Sequence, residues 1–157
     1  MRVAIAAGKT NPFYPSGAVI IGAADRTVRA AGVNNSKANP ILHGEIVAID
    51  NYVAKEANQG RSEVILYTPG EPCPICMSAI VWAGIGGVVY GSSISTVAQA
   101  GIAQIMIDAT ALRHAAPFYR GQIIAGVLRA ETDMLFSNRR RALGSLTLKL
   151  LRQMISK

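Results

Sequence analysis

Only two cysteines occur among the 157 residues, and both fall in one short segment. A secreted scaffold stapled by disulfides needs more of them, so that class is excluded. Charge is also scarce. Asp, Glu, Lys and Arg make up 16% of the chain against 50% hydrophobic residues, which excludes a disordered polyelectrolyte and fits a chain that buries a core. Long apolar runs are missing too. The longest, Ala79 to Tyr90, is broken by Gly84, Gly86 and Gly87. It falls short of the roughly 18 residues that a membrane helix requires, so no membrane partner is expected. The first nine residues are too short to act as a signal peptide, and a cytoplasmic location is expected. No internal repeat, low-complexity tract or linker interrupts the chain, so residues 1–157 read as a single domain.

Acid is absent from the C-terminal end. Residues 138–157 hold Arg139, Arg140, Arg141, Lys149, Arg152 and Lys157 with no Asp or Glu. The first 137 residues hold ten basic and nine acidic side chains, a net of +1, so six of the seven net positive charges belong to the tail. Leu143, Leu146, Leu150 and Met154 share one helical face, which predicts a basic C-terminal helix over about 138–157. Such a helix can bind RNA. A solvated face is the favoured reading of the charges, with the apolar stripe packed on the core or on a second subunit.

The remaining segments alternate. Residues 1–9 read as helix, and Asn11 to Gly17 as a turn-rich loop. Ala18–Ile21 and Val28–Val33 read as two strands joined by a short turn and therefore antiparallel. A helix is expected from Ile41 to about Asn58, a strand over 63–67, a helix from Cys73 to about Ala83 and a strand over 87–91. A helix over 96–106, a strand over 123–128 and a helix from Ala130 complete the reading. Alternation of strand and helix between residues 41 and 91 predicts parallel pairing. The fold class is α/β, a three-layer α/β/α sandwich around a mixed, roughly five-stranded sheet.

What the chain does contain is a cluster of metal-ligand types. His43-Gly44-Glu45 is followed thirty residues later by Pro72-Cys73-Pro74-Ile75-Cys76. Cysteines three apart on a helix lie about 60° apart in rotation, so both thiols reach one ion. Pro72 and Pro74 suit a helix start, and the positive end of the helix favours thiolate. His43, Cys73 and Cys76 are three zinc ligands, and three protein ligands with a fourth position open describe a catalytic zinc. Glu45 is the expected proton carrier, because water on such a metal ionises near neutral pH. Two readings compete with this one. A Cys-x-x-Cys redox pair has no use for His43 and Glu45, and a structural zinc would collapse the fold when removed. His114, the only other histidine, reads as a surface or helix-end residue, and Trp82 as core packing.

The histidine–glutamate and double-cysteine motifs form the signature of zinc-dependent nucleobase deaminases. The chain is identified as resembling the cytidine deaminase superfamily, in the branch of cytosine, guanine and tRNA adenosine deaminases. Pro40 to Glu45 is similar to fungal cytosine deaminases, and Glu71 to Ala83 to bacterial guanine deaminases. The resemblance implies a homodimer and hydrolytic loss of ammonia from a free nucleobase or nucleoside, guanine-like or cytosine-like, or from a related aminated heterocycle. It also implies an asparagine before the histidine motif that binds the base or ribose, with Asn34 the nearest candidate and Asn35 behind it; Gly44 and Glu71 are the other expected substrate-binding residues. Ser16 stands where guanine deaminases usually carry Phe, which implies a roomier or more polar wall. The alternative implied is adenosine-to-inosine editing in tRNA; the uncharged stretch from Ser92 to Ala98 argues against a polyanion there.

Overall fold

The computed structural model describes residues 1–139. The expected basic helix over 138–157 lies outside the described residues, apart from its first two. Helix α1 spans Arg2–Lys9, and strands β1 (Gly17–Gly22) and β2 (Val28–Val33) form an antiparallel hairpin. Helix α2 (Gly44–Glu56) leads through a 3-10 turn to β3 (Val64–Gly70), then α3 (Pro74–Ala83) and β4 (Gly87–Ser92). Two short helices follow, α4 (Ile94–Gln99) and α5 (Ala109–Ala115), then β5 (Gln122–Ile124). Residues 129–139 are helical and are called α6.

The sheet order is β2-β1-β3-β4-β5, with β1 antiparallel to both neighbours and β3, β4 and β5 parallel. The mixed five-stranded sandwich expected from the sequence is therefore observed. Two glycines fix which helix covers which face. A Cβ on Gly17 would strike the Gly8 nitrogen of α1, and one on Gly32 would strike the Ala48 nitrogen of α2. Because side chains alternate along a strand, α1 covers one face of the sheet and α2 the other. The α2 face carries the main core, where Ile20, Leu66, Met77, Ile80, Ile85 and Val88 are all fully buried. Each such side chain contributes roughly 1.5–3 kcal/mol by leaving water.

Four expectations change. Helix α2 begins at Gly44 rather than Ile41, because Ile41 is 52% exposed and His43 takes extended backbone as the N-cap. The helix expected over 96–106 is cut back to Ile94–Gln99, and α5 over Ala109–Ala115 lies where no element was expected. Gly101, at φ +82°, stops α4, and α5 starts afresh at Asp108, whose carboxylate accepts from the Ala111 N–H at 2.6 Å. The strand expected over 123–128 ends at Ile124, since Gly126 and Leu128 both take positive φ. Trp82 is not core: it is 77% exposed, its ring centroid 5.4 Å from that of Phe118, which is 59% exposed. His114 lies exposed in the last turn of α5.

Candidate active site

The site lies at the C-terminal ends of β3 and β4, where open α/β sheets place their ligand crevices. Two helices begin there. His43 is the N-cap of α2 and Cys73 the N-cap of α3, both with extended backbone. Pro74 follows at the first helical position, where a missing N–H costs nothing. One turn further, Cys76 points back to the same spot.

The three ligand types converge. His43 Nδ1 lies 3.4 Å from each of the Cys73 and Cys76 sulfurs, and the sulfurs are 3.5 Å apart. All three atoms fall within 4.8 Å of one another. Tetrahedral zinc with ordinary Zn–S and Zn–N lengths sets its ligand atoms about 3.5–3.8 Å apart, so the three residues fit the ion. Their electrostatics suit metal capture. The Cys76 thiol and the His43 ring hold Cys73 down to about 4, so it is thiolate at neutral pH. The negative Cys73 sulfur and burial push the Cys76 thiol up. The bond to Cys73 raises His43 against the opposing effect of its burial.

Glu45 lies beside this triad, its Oε2 3.5 Å from the Cys76 sulfur. It is 3% exposed, and burial first and the Cys73 charge second raise its pKa. Thr68, fully buried on β3, donates to its Oε1 at 3.1 Å. Sequence reasoning missed Thr68. The signal was there: Val64, Leu66 and Thr68 share one buried face of β3, and the hydroxyl breaks that apolar row.

A cavity of about 810 Å³ opens above Glu45, His43 and Cys73. Asn34, Ser16 and Glu71 line it, so the structure brings these expected residues to the site. Asn34 is buried, and its Oδ1 accepts from the Ser36 N–H and hydroxyl at 3.1 and 2.6 Å. Among the described residues its amide nitrogen enters no hydrogen bond, which leaves a donor for the cavity it lines. Gly44 opens α2 against the Ser16 carbonyl, where a Cβ would come within 2.6 Å of the oxygen. The Glu71 carboxylate is taken up by two backbone amides, Ile94 N–H at 2.8 Å and Ala109 N–H at 2.9 Å. Arg139, counted in the sequence only as part of the basic tail, also lines the cavity. It donates to the carbonyls of Phe13, Ala100 and Gly101 and lies 5.5 Å over the Tyr14 ring, joining two loops at the mouth.

The family profile described as the cytidine and deoxycytidylate deaminase zinc-binding region matches residues 1–92. The chain belongs to this deaminase family. Zinc is its cofactor, and His43, Cys73 and Cys76 are the residues fitted to hold it. Among relatives, the chain is 35% identical to the guanine deaminase of Bacillus subtilis over 120 residues, 73% of this chain and 74% of that one. It is 26% identical to the tRNA-specific adenosine deaminase of Rickettsia felis over 123 residues, 77% of this chain and 82% of that one. A solved guanine deaminase from Nitrosomonas europaea superposes with a TM-score of 0.77 at 19% identity, over 89% of this deaminase and 82% of that chain, which shows the shared fold.

Proposed function

We propose that this deaminase hydrolyses the exocyclic amine of a free nucleobase or nucleoside, with guanine as the first substrate to test. The observation that carries the reading is a buried carboxylate, Glu45, held against a three-ligand metal site that lines a cavity. The similarity to the Bacillus guanine deaminase favours guanine among the bases.

Zinc, when bound, supplies a water that ionises near neutral pH and a Lewis acid for the oxygen that develops on the ring. The chain's own residues do the rest. Glu45 accepts a proton from the attacking water and passes protons to the ring nitrogen and to the leaving amine. Thr68 fixes the carboxylate in the orientation this needs. Asn34 offers its amide N–H to the base, and the glycine at position 44 lets the start of α2 approach the Ser16 wall. The burial that raises Glu45 also holds its pKa nearer the operating pH, which suits a group that must both take and give protons.

The experiment is a panel of aminated bases and nucleosides, guanine and cytosine included, followed by ammonia release with zinc measured in the same samples. Turnover of a small base, lost on Glu45→Gln by about 10²–10⁴-fold with zinc retained, supports the reading. Silence across the panel with zinc bound overturns it.

A homodimer belongs to this reading. Trp82 and Phe118 form an exposed aromatic pair beside α3, the kind of surface that subunit contacts use. The compartment assigned is the cytoplasm, because both thiols serve the site only when reduced. The domain reading is a single unit over residues 1–157, supported by the one sheet that spans the described residues.

A second reading, adenosine editing in tRNA, draws on the similarity to the Rickettsia enzyme and the six positive charges of residues 138–157. Salt separates the two: RNA binding weakens steeply as salt rises, and small-base turnover does not.

A further inference from the structure

Glu71 stands two residues before Cys73 and is only 7% exposed. A buried carboxylate is costly unless its oxygens are well bonded. Here each oxygen has its own partner, and the two partners open two different helices. Oε2 accepts from Ile94, the first residue of α4, and Oε1 from Ala109, the first residue of α5. The helices' own caps leave these donors to Glu71. Ser93 accepts from the Thr96 N–H and Asp108 from the Ala111 N–H, each two residues further in. Helices of six and seven residues are marginal by themselves, so their starts depend on such partners.

Residues 94–109 are also a wall of the cavity. Val97, Gly101, Ile102, Ala103 and Gln104 line it, and residues 102–108 have no regular secondary structure. The wall as a whole, from the start of α4 to the start of α5, is bonded to one carboxylate at both of its ends. The anchor itself is fixed. The Glu71 N–H donates to the Ser92 carbonyl at 2.7 Å, extending the β3–β4 pairing toward Cys73.

We infer that Glu71 is a positioning residue that sets the distance between the 94–109 wall and the Cys73 arm of the metal site, and so governs how substrate is held. Both of its oxygens accept from backbone amides of the wall, and it acts on substrate through that wall. Glutamate suits the role because it presents two acceptors to two donors. Glutamine turns an N–H₂ toward one of them.

The test compares Glu71→Gln with the parent protein, both zinc-loaded. Amide hydrogen exchange over 94–109 is expected to quicken by about tenfold or more, with zinc content unchanged. The kinetic arm rests on the proposed function. With guanine as probe, KM is expected to rise about fivefold or more while kcat stays within about twofold. Unchanged exchange over 94–109 overturns the inference. So does loss of zinc, or a drop in melting temperature with KM unmoved, which would make Glu71 a metal-site support or a merely structural group. If Glu71→Gln does not fold, Ala109→Pro replaces it. That change deletes one of the two N–H donors at a first helical position, after an Asp108 whose extended backbone accepts a following proline. If the parent protein is silent on guanine, that counts against the proposed substrate, and exchange over 94–109 alone upholds or overturns the role of Glu71.

Discussion

The hydroxyl of Thr68 donates to Oε1 of Glu45 at 3.1 Å, across a junction where both residues are buried. This bond favours the charged carboxylate, opposing the rise that burial imposes. Thr68→Val keeps the shape and removes the donor. We expect kcat to fall about tenfold, the worth of one hydrogen bond to a charged group, with zinc content and KM little changed. The acid limb of the kcat profile should also move to higher pH, because the variant's Glu45 holds its proton more tightly. Parent-like kcat in Thr68→Val would remove Thr68 from the account.

Zinc uptake should release protons in a pH-dependent number. Cys73, held at about 4, is already ionised at neutral pH and releases none. Cys76, raised by its neighbour's charge and by burial, must lose one. His43 is raised above its usual value, so below that range it enters as imidazolium and loses a second. Calorimetry in buffers of different ionisation enthalpy should read about one proton at pH 8 and a value approaching two near pH 6, and apparent affinity should fall as pH falls. A count that does not grow toward acid pH would contradict this ionisation pattern.

Tyr119 donates to the Ile85 carbonyl at 2.6 Å from a buried position. Tyr119→Phe leaves that carbonyl unpaired and should cost about 1–3 kcal/mol in denaturant unfolding. Burial pushes the phenol up to about 12. A raised folded value means the neutral form is the one stabilised. The contribution is therefore complete below the unfolded value near 10 and is lost as pH rises through about 12. The gap between variant and parent should narrow at alkaline pH, and a pH-independent gap would show that the phenol's proton plays no part.

Trp82 and Phe118 present apolar rings to the surface of the monomer. Trp82→Arg should halve the mass seen by sedimentation at micromolar concentration while leaving the circular dichroism spectrum intact. An unchanged dimer would move the subunit contact elsewhere; a monomeric parent would remove it.

Much of this was legible in the sequence, for identifiable reasons. His43, Cys73 and Cys76 could be read because metal ligands are rare residue types at restricted spacings. β1, β3 and β4 could be read because buried strands are short, apolar and bounded by glycine. The start of α2 was read too early because Ile41 and Leu42 continue a helical period that the backbone does not follow. The helix expected over 96–106 was carried too far because residues 102–107 are apolar enough to pass for helix, and the stop lies in the conformation of one glycine. Trp82 was misplaced because exposure of an aromatic depends on what packs across from it, which local sequence does not encode. Thr68 and Arg139 belong to the site through tertiary contact alone.

Two of the three metal ligands occupy helix N-cap positions, His43 on α2 and Cys73 on α3, and neither side chain makes a capping hydrogen bond. Serine and asparagine are better N-caps than either. Replacing Cys73 with serine or His43 with asparagine would therefore strip the ion while giving the helix a better start. Loss of chemistry and loss of fold are thus uncoupled at these two positions, whereas at Cys76, inside the first turn and almost fully buried, no such compensation is on offer. A lineage descended from this protein could abandon catalysis through the caps and keep the scaffold for binding alone.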